Sequence, residues 1–260
     1  VVICSRDMVR GNAARQQILD AVPDANLETM VLDLASLDSI QTFADAFAKR
    51  HNRLDILMNN AGVMALPYRE TADGFEMQLG TNHMGHFALT GQLLPLILKT
   101  PGSRIVTVSS VYHKLGKVNL EDLHRKQSYD KWEAYGQSKV ANLHFAYELA
   151  RKLARQSSSA ISVAAHPGYS ATNLQHAGPS MAGDFWSGIM MTVGNTLLAQ
   201  SAAKGALPQL FAATAPDVNN GDYIGPNGPG ELFGYPKKVG SNEHSRDTAE
   251  QTGVAFADLD

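Results

Sequence analysis

The sequence predicts an α/β fold, a parallel sheet covered by helices on both faces. Three observations predict it. Short, nearly continuous apolar runs alternate with longer stretches of helical periodicity, the pattern of strands buried on both sides. Polar residues that carry chemistry gather where those runs end, and in such sheets ligands bind beyond the carboxyl ends of the strands. The 260 residues are 44% hydrophobic, enough for one large core.

Taken in order, "VVIC" at 1–4 is a short β-branched strand, and "NAARQQILDAV" after it is helical. "LETMVLDL" at 27–34 is a second strand. Ser36 can cap the helix "LDSIQTFADAFAKR", in which Leu37, Ile40, Phe43, Ala44 and Phe47 recur at helical spacing. "LDILMNN" at 54–60 is a third strand, and a long helix is expected over about 73–98. "SRIVTVSS" at 103–110 is a fourth strand, followed by an Ala- and Leu-rich helix at 133–156. "AISVAAHPG" at 160–168 is a fifth strand, stopped by Pro-Gly; a helix at 202–214 and a short strand "GDYIG" complete the pattern. With no repeat and no dividing linker, residues 1–260 read as one domain.

Net charge is −3 with both signs scattered, so no basic block suggests a nucleic-acid partner. Cys4 is the single cysteine, which excludes an intramolecular disulfide and a Cys-rich metal site. A reducing, cytoplasmic setting fits. The apolar stretch at 185–199 is shorter than the ~20 residues a spanning helix needs and is broken by Gly and Asn. It reads as part of an apolar flap at 175–200, although a helix packed on the core is an equal reading. His83 and His86 stand three apart with no evident third ligand, so no metal is expected. His113, His144 and His166 read as ordinary polar contacts, and no Gly-x-Ser-x-Gly elbow surrounds Ser110.

Within the 133–156 helix, Tyr135 precedes Lys139 by one turn, so the two lie on nearly the same face. An isolated Tyr-x-x-x-Lys is weak evidence. Its weight comes from "NNAG" at 59–62, "TNHMGHF" at 81–87, "SS" at 109–110, "YGQSK" and "HPGYSATNL" at 166–174, in that order. Together these closely resemble the short-chain dehydrogenase/reductase family, in its retinol-dehydrogenase-like and WW-domain-oxidoreductase-like branch. "CSRD" and "GDYIGPNG…GYPKKV" look like that branch too, and the resemblance runs from Val1 to about Arg246.

The resemblance implies a Rossmann-like doubly wound parallel sheet, three-layer αβα, and an oxidoreductase interconverting a carbonyl and an alcohol. It implies Tyr135 as general acid/base, Lys139 on the nicotinamide ribose and lowering the tyrosine pKa, Ser110 orienting the substrate oxygen, and Asn82 at a helix kink. A phenol's pKa of about 10 suits neutral proton transfer poorly, and a fixed ammonium favours the phenolate. For the cofactor, the resemblance places Asp33 and Leu34 about the adenine and Asn60, Ala61 and Gly62 along the adenosine side. Pro167, Gly168 and Thr172 fall near the carboxamide. Arg6 where the family reads the adenosine ribose favours NADP(H) over NAD(H). The 24 residues between Ser110 and Tyr135 are expected at the rim of the site. A small apolar substrate is expected, and a homo-oligomer is left open.

The chain departs from the family in lacking its first strand and glycine-rich turn, Thr-Gly-x-x-x-Gly-x-Gly, which cradles pyrophosphate. An N-terminally incomplete chain, and a sheet with an unpaired gap, are therefore expected. The end at 245–260 also looks short for the family's closing helix. A non-catalytic scaffold of the same fold stays open on this account, and a sugar-nucleotide epimerase ranks behind both.

Overall fold

A computed structural model describes residues 1–169 and 200–241. Among them the strands are β1 (Val2–Ser5), β2 (Glu28–Val31), β3 (Ile56–Asn59), β4 (Arg104–Val108), β5 (Ile161–Ala165), β6 (Tyr223–Pro226) and β7 (Pro236–Lys238). The α-helices are α1 (Met8–Ala21), α2 (Leu37–Arg50), α3 (Met77–Leu79), α4 (Gly85–Lys99), α5 (Lys131–Arg155) and α6 (Ala202–Thr214).

The strands pair as two pieces, β1-β2 and β3-β4-β5-β6-β7. All ladders are parallel except β6 with β7. No ladder joins the pieces among the described residues, in line with the expected gap. Packing joins them instead. Met30, Leu32, Ile40, Phe43 and Phe47 from the β2–α2 side share one core with Leu57, Leu93, Ile97, Ile105 and Leu153. Each such side chain buried in full contributes roughly 2 kcal/mol.

Local chemistry explains the element bounds. The Ser36 side chain accepts from Ser39 N–H and starts α2, with Asp38 in the first turn and Lys49 and Arg50 in the last, each sign suited to its helix end. Asp130 caps α5 by accepting from Trp132 and Glu133 N–H. The helix expected from 73 begins instead at Met77. Thr71 N–H donates to Phe75 O and closes a tight loop first. Glu76 then caps the helix, its carboxylate accepting from Gln78 and Leu79 N–H. Between α3 and α4 the chain makes a π-turn, Gly80–Met84. The edge strand β7 was not read from the sequence: three residues, "PKK", hold no alternation to recognise.

Among the described residues, no helix is long and apolar enough to cross a membrane. The flap at 175–200, all but Gln200, lies outside the described residues.

Candidate active site

The site gathers beyond the carboxyl ends of β3, β4 and β5. At the end of β4 the two serines divide their work as strand alternation requires. Ser109 Oγ donates to Lys139 O at 2.8 Å and ties β4 to α5. Ser110 caps a 3₁₀ turn, Val111–Lys114, by accepting from Tyr112 N–H, and its side chain lies near enough to the Tyr135 phenol to lower that phenol's pKa.

Tyr135 is 4% exposed. Burial pushes its pKa up to about 12, with the Ser110 side chain pulling the other way. Lys139 Nζ stands 5.7 Å from the tyrosine ring centroid and donates to Val108 O at 3.2 Å. Burial brings the lysine down to about 8. This departs from the expected tuning. In the cofactor-free chain desolvation of the phenolate is the largest influence on Tyr135, and Ser110 acts against it.

Asn82 sits inside the π-turn, fully buried. A π-turn rotates one residue out of the regular α register and is common at functional sites. Here it aims an amide at the loop after β3. Asn82 Oδ1 accepts from Val63 N–H at 2.7 Å, and Nδ2 donates to Val63 O and to Ser138 Oγ, both at 2.9 Å. His86 Nδ1 meets the Asn82 carbonyl at 3.0 Å. Ser138 and Asn142 were missed by the sequence reading. Ser138 Oγ donates to Tyr135 O at 2.8 Å, and Asn142 Nδ2 shares Val108 O with Lys139 at 3.0 Å. Their signal was available, since both stand on the Tyr135–Lys139 helix within one turn of the pair.

The residues assigned to a dinucleotide spread along the same edge. Leu32 N–H donates to Ser5 O, so Arg6 and Asp33 leave adjacent strand ends. Arg6 is exposed, with no ion pair or hydrogen bond among the described residues. Asp7 is not free to compete for a ribose, because its carboxylate caps α1 at Val9 and Arg10 N–H. Asp33 Oδ1 accepts from Ala35 N–H at 2.9 Å, and Leu34 is buried against α4. Asn60 and Ala61 are exposed, while Gly62 and Pro167 are half-buried. A Cβ at Gly62 would lie 3.0 Å from Asn82 Oδ1 and 3.6 Å from Lys139 Nζ, so glycine leaves backbone room beside the ammonium. Gly168 turns the chain at φ +69. Thr172 lies outside the described residues.

This set fits a dinucleotide. Lys139 has three donors and uses one on Val108 O, which leaves two for a ribose diol. Arg6 offers an uncommitted planar cation for a phosphate. His83 and His86 are engaged with Asn142 and Asn82. Among the described residues no three His, Cys, Asp or Glu converge as a metal site. A cleft of about 440 Å³ between β2 and α2, lined in part by Thr29, Val31, Thr42 and Arg50, borders none of the site residues.

The parallel sheet and this edge define a dehydrogenase fold of the short-chain kind, and comparison agrees. The short chain dehydrogenase family model matches residues 1–182, and the chain belongs to that family. Within it the chain falls in the retinol-dehydrogenase-like branch. It is 40% identical over 239 residues to mouse retinol dehydrogenase 14, covering 86% of this chain and 70% of that protein. It is 42% identical over 168 residues to human retinol dehydrogenase 12, covering 65% of this chain and 52% of that one. The chain therefore spans about half to seven-tenths of these relatives' lengths. A crystal structure of an uncharacterised Mycobacterium paratuberculosis protein matches the fold with TM-score 0.76 at 35% identity, covering 100% of this chain and 83% of that one.

Proposed function

We propose that the chain is an NADP(H)-dependent oxidoreductase that interconverts a carbonyl and an alcohol on an apolar substrate. The observation that carries this reading is the buried Tyr135 phenol, with Ser110 beside it and Lys139 one turn on, its Nζ 5.7 Å from the ring. Burial keeps that phenol protonated through the neutral range, so Tyr135 meets a carbonyl as an acid. Bound NADPH supplies the hydride for the carbonyl carbon. Ser110 Oγ, held by its place at the strand end, orients the substrate oxygen against Tyr135 Oη. As Tyr135 gives up its proton, the Ser110 hydroxyl and the Lys139 ammonium both favour the phenolate left behind. Lys139, brought near neutrality by burial, is matched to return a proton. Asn82 holds the Val63 backbone and Ser138 in place behind the pair.

Arg6 and the capped Asp7 support NADP(H) over NAD(H). The apolar substrate is supported by Met64, Tyr112 and Trp132, which pack about Tyr135, and by the name of the retinol dehydrogenases it resembles. The test is NADPH and NADH consumption with a panel of apolar aldehydes, for wild type and Arg6→Glu. NADPH should be the better cofactor, and Arg6→Glu should lose that preference. Equal use of both by wild type contradicts the assignment of Arg6.

A further inference from the structure

We propose that Glu231 is a positioning residue: its carboxylate selects the tautomer of His166, and that tautomer holds the Pro167-Gly168 turn. The proposal rests on the functional reading above only for its effect on turnover.

His166 follows β5 and is fully buried. Its Nδ1 accepts from Gly168 N–H at 3.3 Å. A ring nitrogen that accepts has no proton, so the imidazole proton sits on Nε2. Nε2 lies 3.3 Å from Glu231 Oε2, an ion-pair separation without hydrogen-bond alignment, and makes no hydrogen bond among the described residues. At that separation the negative charge of the carboxylate favours a proton on the near nitrogen, Nε2, over one on Nδ1. The chain Glu231–His166–Gly168 thus fixes which nitrogen carries the proton.

The surroundings are cut to fit it. A Cβ at Gly225 of β6 would overlap His166 Nε2, so glycine there gives the ring its room. Tyr223 packs against the ring at 5.2 Å between centroids. Tyr169 N–H donates to Leu232 O at 2.6 Å, and a Cβ at Gly168 would overlap that same carbonyl. The Gly168 turn is therefore seated on the residue next to Glu231. Glu231 itself has φ +59, a conformation that strains a non-glycine residue. A glutamate retained there needs a compensating contact, and His166 supplies one.

Lys114 supplies the second. Its Nζ lies 3.3 Å from Glu231 Oε2, and Lys114 ends the 3₁₀ turn that Ser110 caps. One carboxylate thus braces the Ser110 turn and the Gly168 turn together. His166 and then Lys114 hold its carboxyl down to about 2, so it stays ionised at neutral pH. Without it, an Nδ1–H tautomer would point its proton at Gly168 N–H and loosen the turn.

The test is a long-range proton–nitrogen spectrum of the cofactor-free chain labelled with ¹⁵N-histidine. Wild-type His166 should be the neutral Nε2–H form. Glu231→Ala should populate Nδ1–H, and Glu231→Gln, which keeps an acceptor oxygen, should restore Nε2–H. In aldehyde reduction Glu231→Ala should lower kcat about 10-fold, less than the ~100-fold that a 1 Å misplacement can cost. The aldehyde KM should hold, and Glu231→Gln should recover most of the rate. A wild-type His166 protonated on Nδ1, or an unchanged tautomer and kcat in Glu231→Ala, overturns the proposal. Should Glu231→Ala not fold, the wild-type spectrum decides. The predicted tautomers in a chain without turnover support this positioning and remove the functional reading instead.

Discussion

Replacing Lys139 with methionine should make the cofactor-free chain more stable while abolishing turnover. Lys139 is 3% exposed, and burial brings its ammonium down from an ordinary 10.5 to about 8. At neutral pH the lysine is charged in folded and unfolded chains alike, so the folded chain carries the whole penalty, roughly 3 kcal/mol. Methionine keeps the length and the apolar stem without the charge. The lost Nζ–Val108 O hydrogen bond offsets about 1.5 kcal/mol of the gain, and Asn142 Nδ2 still satisfies that carbonyl. The net advantage is about 1–2 kcal/mol at neutral pH. Between about 8 and 10.5 the unfolded wild type still holds the lysine proton and the folded one has lost it. Wild-type stability therefore rises with pH through that window, and the variant's advantage shrinks. The Tyr135 titration is common to both chains and cancels. Urea unfolding at about pH 7 and about pH 10 measures the difference. A variant less stable than wild type at neutral pH, or an advantage equal at both, refutes the reasoning.

Other outcomes follow from the same burial and bonding. Burial holds His83, His86, His113 and His144 each down to about 4. The unfolded chain takes up those protons below about 6.5, so stability should fall steeply from pH 6.5 toward 4. A flat urea midpoint across that range contradicts this. Asn82→Ala removes three hydrogen bonds, one buried and two partly buried, and should cost about 3 kcal/mol. Unfolding midpoints that differ by the equivalent of less than about 1 kcal/mol contradict the bracing role.

The fold was legible where caps and periodicity agree. Residues 37–50 and 202–214 were read with the bounds of α2 and α6, and for the first Ser36 and the apolar spacing from Leu37 to Phe47 announce it. The start of α3 was not, since Glu76 is fixed by partners remote in sequence, His124 and Tyr129. The π-turn leaves no mark in composition, yet the resemblance put a kink at Asn82, where the π-turn lies. Tyr135, Lys139, Ser110 and Asn82, named from their motifs, lie in one neighbourhood of the fold. What the sequence could not tell was the sign of the tyrosine shift, because burial is a property of the assembled core. His166 read as an ordinary contact for the same reason: Glu231 is brought to it across sixty-odd residues by the return of β6.

The central claim is that the Tyr135 hydroxyl donates the proton in carbonyl reduction. Stopped-flow NADPH oxidation with an apolar aldehyde, wild type against Tyr135→Phe, tests it most directly. The rate should fall about 10²- to 10⁴-fold, the usual worth of a positioned acid, with NADPH affinity unchanged. A phenylalanine variant that turns over at the wild-type rate contradicts the account.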